Sequence, residues 1–360
     1  MRKGYQGRKI LATGKEVYIG MDVHKESWHL TVRAEGEEIF NGRMASDYPA
    51  LKKFLGRFKG SRIKVAYEAG PCGFGLYDKL TAEGIETIVA PPSLIPVESG
   101  NKVKTDKRDS RKLAKLLESN FLKKVHVLSE QERTERELVR TRRQLVEHSS
   151  DVARQIKSKL LFHGINSPVA GKVKWTKSYI KWIKELACKE EWLKASIMRL
   201  IELYEYLATQ IKKISREVVV LSRKENYKDR VKLLKSIPGI GMLTAMEILV
   251  ELQNVERFKS SGELASYTGL TPSEYSTGQH IRQGRITRCG NKRVRTALVE
   301  SSWILIGKDP YMQLKYRMLK NAKGCKRAIV AIARNLIIRI RKILLTNKPY
   351  VLGGLVRATG

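Results

Sequence analysis

The first third of the chain alternates between short apolar runs and segments with helical spacing. Strand-like runs are VYIGMDV, WHLTVRA, RIKVAYEAG and ETIVAPP, and helical spacing is found in YPALKKFLGRF, GLYDKLTAEG and KTDKRDSRKLAKLLES. The apolar runs alternate or are rich in β-branched residues, and proline or glycine ends several of them. This order predicts an α/β domain with a mixed sheet over residues 1–125.

The middle of the chain, residues 126–228, has the pattern of long helices. Apolar residues recur four and three apart over four heptads, at Leu193, Ile197, Leu200, Tyr204, Leu207, Ile211, Ile214, Val218 and Leu221. Such a seam is typical of a coiled coil, and a helix packed within an intramolecular bundle is the alternative. We favour a helical hairpin that also serves dimerisation.

Three aromatic residues upstream of this seam are also spaced four and three apart. Trp175, Tyr179 and Trp182 share one helical face, and lysines occupy the others. Base stacking is one interpretation. An amphipathic face that packs into a core is the interpretation we favour.

Residues 229–345 are predicted to form an α-rich domain, followed by a tail at 346–360. It opens with LLKSIPGIGMLTAMEILVEL, the pattern of a helix-hairpin-helix. Gly239 and Gly241 would let the backbone approach a phosphate at a helix N-terminus. The alternative is a plain turn between helices that needs glycine for its dihedral angles.

The charge balance indicates a polyanionic partner. The chain of 360 residues has 70 Lys+Arg against 36 Asp+Glu, a net charge of +34, and residues 281–360 hold 19 basic and two acidic residues. Nucleic acid is the expected partner. A membrane is not, because the longest apolar stretch is interrupted by Arg334, Arg339 and Arg341. Neither a secretion signal nor paired cysteines are evident, so a cytoplasmic protein with reduced thiols is expected.

Four acidic residues stand out by position. Asp22 and Glu68 end predicted strands, and Asp106 and Asp109 are three apart at a helix start. Strand ends collect functional side chains, and an i, i+3 pair points to one side of a helix. Four carboxylates together call for divalent cations, with Mg²⁺ the best match and Mn²⁺ an alternative. Nearby basic residues would hold nucleic acid: Lys104, Lys107, Arg108 and Arg111. The competing interpretation is a set of solvated surface acids.

A second group of residues surrounds Ser276. The segment SYTGLTPSEYSTGQHIRQGRITRCGNKRVRTALVESSW is turn-rich around Ser276, and it precedes a predicted helix, KRVRTALVESSWIL. Its basic residues would face a phosphate backbone: Arg282, Arg285, Arg288, Lys292, Arg293 and Arg295. By residue type alone Ser276 is a loop serine, since no base is arranged beside it.

The blocks GMDVHK, YEAGPCGFGLYDKL and KTDKRDSRKLAKLL, followed by GLTPSEYSTG and GRITRCGNKRVR, resemble the DEDD transposases of bacterial insertion sequences. These are relatives of the pilin-gene invertase and are guided by a bridge RNA. The resemblance implies an RNase H-like, RuvC-like N-terminal domain in which Asp22, Glu68, Asp106 and Asp109 bind metal. Ser110 stands where many relatives have alanine, a change that we do not expect to matter.

The resemblance also implies that Ser276 is the DNA nucleophile and forms a covalent 5′-phosphoserine. It further implies a composite site in a homodimer or homotetramer, a structured guide RNA, double-stranded DNA at the element ends and target, and a place in the prokaryotic nucleoid. Two alternatives remain open: a RuvC-like junction nuclease that uses metal-activated water, and a non-enzymatic nucleic-acid-binding protein.

Overall fold

A computed structural model of the chain describes residues 14–96, 105–168, 175–186, 190–274 and 283–353. Its internal contacts divide the chain into two units, Met1–Leu128 and Ser129–Gly360. Within the described ranges, no helix is both long and apolar enough to cross a membrane. The Arg-interrupted apolar stretch near the C-terminus is helical and buries its Ile and Leu side chains in the second unit.

The first unit is built on a five-stranded mixed sheet, as predicted. The strand order is β3-β2-β1-β4-β5; β1 is antiparallel to β2 and parallel to β4, and β4 is parallel to β5. The strands are β1 Glu16–Val23, β2 Ser27–Ala34, β3 Glu37–Ala45, β4 Arg62–Glu68 and β5 Glu86–Ala90. The helices are α1 Tyr48–Leu55, α2 Gly75–Ala82 and α3 Asp106–Glu118.

Strand β3 was not predicted from the sequence. Its residues, EEIFNGRMA, mix polar and apolar side chains and none is fully buried, because β3 lies at the edge of the sheet. A tight turn at Glu35 and Gly36, both with positive φ, folds it back onto β2 in antiparallel register. Pairing with a buried neighbour therefore forms this strand in the absence of an apolar pattern of its own.

The two faces of this sheet carry different helices. Val17, Ile19 and Met21 of β1 point into a core that also holds buried side chains of α1 and α2. The opposite face of the same strand is covered by α3, which lies against Gly20. Because neighbours in sequence alternate between faces, Asp22 lies on the α3 side of the sheet.

The second unit is almost entirely helical. Two long helices, α4 Glu130–Phe162 and α6 Glu191–Leu221, pack against each other. The predicted heptad positions Ile197, Leu207 and Val218 are buried inside the chain itself. The seam is thus used for packing between helices of one chain, and dimerisation through it stays a prediction.

The aromatic face at residues 175–182 belongs to the core of this helical pair. Tyr179, in helix α5 Lys177–Glu185, is 6% exposed. Its ring lies 5.4 Å from that of Trp175 and 5.3 Å from that of Trp182, centroid to centroid, and both tryptophans pack against the same cluster. The interpretation of this face as core is confirmed.

The remaining helices surround one large core. They are α7 Glu225–Lys235, α8 Met242–Leu252, α9 Ser261–Tyr267, α10 Lys292–Leu305, α11 Pro310–Lys323 and α12 Cys325–Thr346, with a small hairpin of β6 Pro272–Glu274 and β7 Gln283–Ile286. The predicted helix KRVRTALVESSWIL is confirmed as α10. The core also includes Val139 of α4 and Val218 of α6, on the other side of the predicted boundary at residue 228.

Candidate active site

Two of the four acidic residues lie side by side at the ends of parallel strands. The register pairs Met21 of β1 with Tyr67 of β4, so Asp22 and Glu68 each follow one residue later. Met21 and Tyr67 are buried in the core on the α1 and α2 side. Asp22 and Glu68 therefore share the other face, and both are partly buried there.

Helix α3 brings the other two acidic residues to this face. The Thr105 side chain caps the helix N-terminus by accepting from the Arg108 backbone N–H, so Asp106 and Asp109 both fall in the first turn. The backbone of α3 can approach the sheet closely because the residue of β1 beneath it is Gly20. A Cβ at Gly20 would be 2.1 Å from the Ser110 backbone oxygen and 2.3 Å from the Ala114 backbone nitrogen.

The electrostatics of Asp22 reflect this crowding. Burial raises the pKa of the Asp22 carboxyl, the nearby His24 ring opposes this, and the negative charges of Asp106 and Asp109 raise it further. Three of the four predicted acids are thus close enough to influence one another. Glu68 is placed beside Asp22 by the strand register.

His24, which was not predicted as a site residue, lies among these acids. His24 Nε2 lies 3.2 Å from Asp22 Oδ2 and 3.8 Å from Asp106 Oδ1, and one ligand atom from each of the three residues falls within 4.8 Å of the others. Carboxylate oxygens and an imidazole nitrogen are common ligands of divalent cations. The donor set fits such a cation, which would offset the mutual repulsion of the acids. The available signal was the position of His24 two residues after Asp22.

A buried chain of hydrogen bonds ties α3 to the sheet behind the acids. Ser110 Oγ lies 2.8 Å from Thr31 Oγ1, both residues are fully buried, and Asn41 Nδ2 donates to the same Thr31 oxygen at 2.7 Å. His29 Nε2 completes the chain at 3.1 Å from Asn41 Oδ1. The Ser110 hydroxyl group therefore joins α3 to β2 by a bond that alanine at this position could not make, and the expectation that the change does not matter stays a prediction.

The basic residues predicted around the DxxD motif divide into two kinds. Lys107 and Arg108 are exposed on the first turn of α3. Arg111 instead forms a bidentate ion pair with Glu38, at 2.5 Å from Nε and 2.7 Å from Nη2. Its charge is therefore already neutralised within the unit. Lys104 lies outside the described residues.

Ser276 and Arg282 also lie outside the described residues, but the chain on both sides of them forms a hairpin. The loop joins the antiparallel strands β6 and β7, and the Thr287 N–H donates to Thr271 O at 2.9 Å just below them. Gly269 and Gly290, both at positive φ, allow the two chain segments to meet there. A Cβ at Gly290 would be 2.3 Å from Tyr267 O.

The predicted DNA-facing arginines of this region also differ in role. Arg285 and Arg288, together with Lys292, are exposed. Arg295 instead donates from Nη1 to Thr268 O at 2.9 Å and to Arg288 O at 3.3 Å, so it holds the two sides of the loop base together.

A buried carboxylate, also missed from the sequence, lies beneath this base. Glu251 is 2% exposed; it accepts from Arg140 Nε at 2.7 Å and Nη2 at 2.8 Å, and from Asn291 Nδ2 at 2.8 Å. Arg293 Nε lies 4.0 Å away. Burial opposes ionisation, but the bonds and charge of Arg140 hold the pKa of Glu251 below its ordinary value. Because Asn291 also caps α10, Glu251 links α4, α8 and the start of α10.

The first glycine of the PGIG segment, Gly239, is required by the backbone conformation and by close packing against α10. Gly239 has φ +92°, and a Cβ there would be 2.6 Å from Ser301 O of α10. Gly241 is exposed, precedes α8 and has open space around it. The turn interpretation accounts for Gly239, and a phosphate contact at Gly241 stays a prediction.

Comparison with known proteins places these features in a family. A model of the transposase IS116/IS110/IS902 family matches residues 231–317, and a transposase model of the DEDD type matches residues 19–164. The chain is 32% identical to a putative transposase, y4qE, of Sinorhizobium fredii, over 92% of this chain and 89% of that protein.

Two further relatives carry informative names. The transposase for insertion sequence element IS1533 of Leptospira borgpetersenii is 29% identical over 67% of this chain and 70% of its own. The pilin gene-inverting protein of Moraxella lacunata is 35% identical over 35% of this chain and 39% of its own. The DEDD-type match spans Asp22, Glu68, Asp106 and Asp109. The match to the DEDD-type model implies an RNase H-like fold for the mixed sheet of the first unit. The chain belongs to the IS110 family of DEDD transposases.

Proposed function

We propose that this transposase cuts and rejoins DNA through Ser276, assisted by a divalent metal held by Asp22, Glu68, Asp106 and Asp109. The observation that carries the proposal is the convergence of Asp22, Asp106 and Asp109 on the α3 face, where burial, together with the charges of the other two acids, raises the pKa of Asp22. Acids gathered at this cost in a basic protein are typical of phosphoryl-transfer sites.

Mg²⁺ is the ion proposed for this set, with Mn²⁺ as the alternative. Bound there, the metal supplies charge stabilisation to the phosphoryl group. The side chains of this protein would hold the metal in place. Asp22 and Glu68 would provide carboxylate oxygens from the ends of β1 and β4, and Asp106 and Asp109 would provide them from the first turn of α3. His24 adds a nitrogen donor at the exposed side of the set, where its side chain is 57% exposed.

The proposed chemistry at Ser276 is a transesterification. The serine oxygen attacks a backbone phosphorus and forms a new P–O bond as it loses its proton. The bond from phosphorus to the 3′ oxygen breaks, and that oxygen leaves as a 3′-hydroxyl after taking up a proton. The reverse attack by a 3′-hydroxyl of another strand rejoins DNA without an external energy source. The base of the serine loop, held by Arg295, supports this proposal by fixing both ends of the segment that carries Ser276.

The partners proposed are double-stranded DNA, a structured guide RNA and further copies of the chain in a homodimer or homotetramer. The net charge of +34 favours polyanionic partners. The guide RNA and the oligomer are supported by the family resemblance.

The test is to trap the covalent intermediate. Purified protein with its co-purifying RNA and Mg²⁺ is incubated with end-labelled element-junction DNA, denatured, and examined for DNA attached to protein. We expect an adduct with the wild type and none with Ser276→Ala or Asp106→Ala. Ser273→Ala is the matched control, because Ser273 lies on the same hairpin and its hydroxyl donates to Arg285 O.

Each alternative gives a different result. Cleavage that survives Ser276→Ala without an adduct would assign the chemistry to metal-activated water. DNA binding without cleavage, unaffected by Mg²⁺ and by Asp106→Ala, would make the chain a binding protein only.

Metal binding by this set is expected to depend on pH. Only ionised carboxylates bind the cation, and the raised pKa of Asp22 lets protons compete at a higher pH than at an ordinary aspartate. Affinity for Mn²⁺, measured by calorimetry without DNA, should therefore fall as the pH is lowered through that raised pKa. Loss of a residue that only hydrogen-bonds a metal ligand typically weakens metal affinity by roughly 10–100-fold. Asp22→Asn removes a proposed ligand itself and should weaken Mn²⁺ binding by at least as much.

Glu26→Gln is the control for this titration, since Glu26 is exposed in the same β1–β2 turn. Equal Mn²⁺ affinity in wild type and Asp22→Asn would contradict the assignment of Asp22 as a ligand.

A further inference from the structure

A pocket of about 210 Å³ opens between the edge strand β3 and helix α1, within the first unit. It lies on the sheet face opposite the four acids. Leu30, at its base, belongs to the α1-side core, whereas the next residue, Thr31, contacts α3. The pocket is therefore separate from the proposed metal site.

The inner wall of the pocket is apolar and aromatic. It includes Phe40 and Met44 of β3 and Phe54 of α1, all partly exposed. The Phe40 and Phe54 rings are tilted by 51° with centroids 4.8 Å apart. Gly42 deepens the pocket, because a Cβ there would lie 2.7 Å from the Phe40 ring. The result is an aromatic surface open to solvent.

The rim of the pocket is cationic. Lys53 and Arg57 flank the opening, both are exposed, and none of the described residues that line it is acidic. The Arg57 guanidinium lies 5.4 Å from the centre of the Phe54 ring, so charge and aromatic surface are adjacent. The Arg43 side chain lies on the other face of β3, where Nη2 donates to Ser27 Oγ at 2.7 Å, so only its backbone lines the pocket.

We propose that this pocket binds an unpaired nucleobase of DNA, with the flanking phosphates on Lys53 and Arg57. An aromatic floor beside cations is the composition of single-strand binding sites, where rings stack on bases and basic side chains follow the backbone. In a duplex the base faces are covered by their neighbours, so only an unpaired base fits. Strand cutting and rejoining expose such bases. The inference rests on the family's action on DNA and not on the nucleophile.

The experiment measures binding of a short single-stranded DNA by fluorescence polarisation, in EDTA so that no cleavage occurs. Phe54→Leu keeps the site apolar but removes the ring, and we expect it to weaken binding by roughly five- to a hundredfold, the loss of one stacked base. The same DNA with abasic positions should bind wild type and Phe54→Leu alike. The double variant Lys53→Ala with Arg57→Ala should make the affinity for this DNA less dependent on salt concentration. Lys59→Ala is the control, because Lys59 is exposed just beyond the pocket, and it should leave that dependence unchanged.

A second measurement does not depend on any variant folding. Photo-crosslinking of wild type to DNA that carries 5-iodouracil should label peptides containing Phe40 or Phe54. Crosslinks only elsewhere, or equal affinity of Phe54→Leu and wild type, would overturn the proposal. Tighter binding of the same sequence as RNA would overturn the assignment to DNA. Ser276→Ala should bind as wild type does, so failure of the nucleophile and failure of the pocket are separate results.

Discussion

Replacing Gly20 by alanine is expected to lower the free energy of unfolding of the first unit by about 3 kcal/mol, the upper end for overpacking a core. The new methyl group would lie within 2.3 Å of backbone atoms of Ser110 and Ala114, and neither backbone atom can move without shifting α3 as a whole. Because α3 carries Asp106 and Asp109, the same change should weaken Mn²⁺ binding even in the molecules that remain folded.

Hydrogen exchange of peptides from β1 and α3 provides a local measurement of this effect. Gly56→Ala is the matched control, since Gly56 has φ −58° and nothing within 4 Å of its added Cβ. That change should be neutral or slightly stabilising. If the β1 and α3 peptides exchange as slowly in Gly20→Ala as in Gly56→Ala, the docking of α3 on the sheet does not require a glycine at position 20.

Replacing Glu251 by glutamine is expected to cost the second unit about 3 kcal/mol. It removes the charge that compensates the half-buried Arg140, and breaking one side of a buried ion pair costs roughly 3–5 kcal/mol. The loss should spread to the base of the serine loop through Asn291. Faster hydrogen exchange in peptides from α8 and from residues 283–300 would record it.

Two comparisons isolate the charge of Glu251. Glu147→Gln removes an exposed i, i+4 partner of Arg143 and should change stability by about 0.5 kcal/mol or less. Because the folded-state pKa of Glu251 is lowered, its contribution is complete above the ordinary glutamate pKa and is lost as the pH falls through the folded value. Wild type and Glu251→Gln should therefore converge in stability in acid. A constant difference across pH would point to packing and not to charge.

The sequence was most informative where a pattern and a chemical motif coincided. Asp22 and Glu68 were found because apolar runs end at them, and the i, i+3 spacing of Asp106 and Asp109 placed both on one side of α3. Periodicity also predicted α10 and four of the five strands of the first unit. Strand β3 escaped because charged residues and a glycine interrupt its apolar positions, and pairing with its neighbour β2 determines its conformation.

Two residues whose contacts escaped prediction have partners distant in sequence. Ser110 bonds Thr31, 79 positions earlier, and Glu251 bonds Arg140, 111 positions earlier. Composition also could not distinguish arginines that face solvent from those already paired. Arg111 and Arg295 were both predicted to contact phosphate. In the structure the Arg111 guanidinium is paired with Glu38, and that of Arg295 donates to backbone carbonyl groups. For Glu251 the local signal was its lone charge within the apolar run ILVEL.

The position of α3 over Gly20 has a consequence for synthesis of the protein on the ribosome. Asp22 and Glu68 emerge early, but the helix that supplies Asp106 and Asp109 ends at Glu118 and docks on a strand made about a hundred residues before. A nascent chain that stops short of this helix has a sheet but an incomplete acidic set. The proposed catalytic centre would therefore form only with the docking of the last helix of its unit, and truncated translation products would lack two of the four proposed metal ligands.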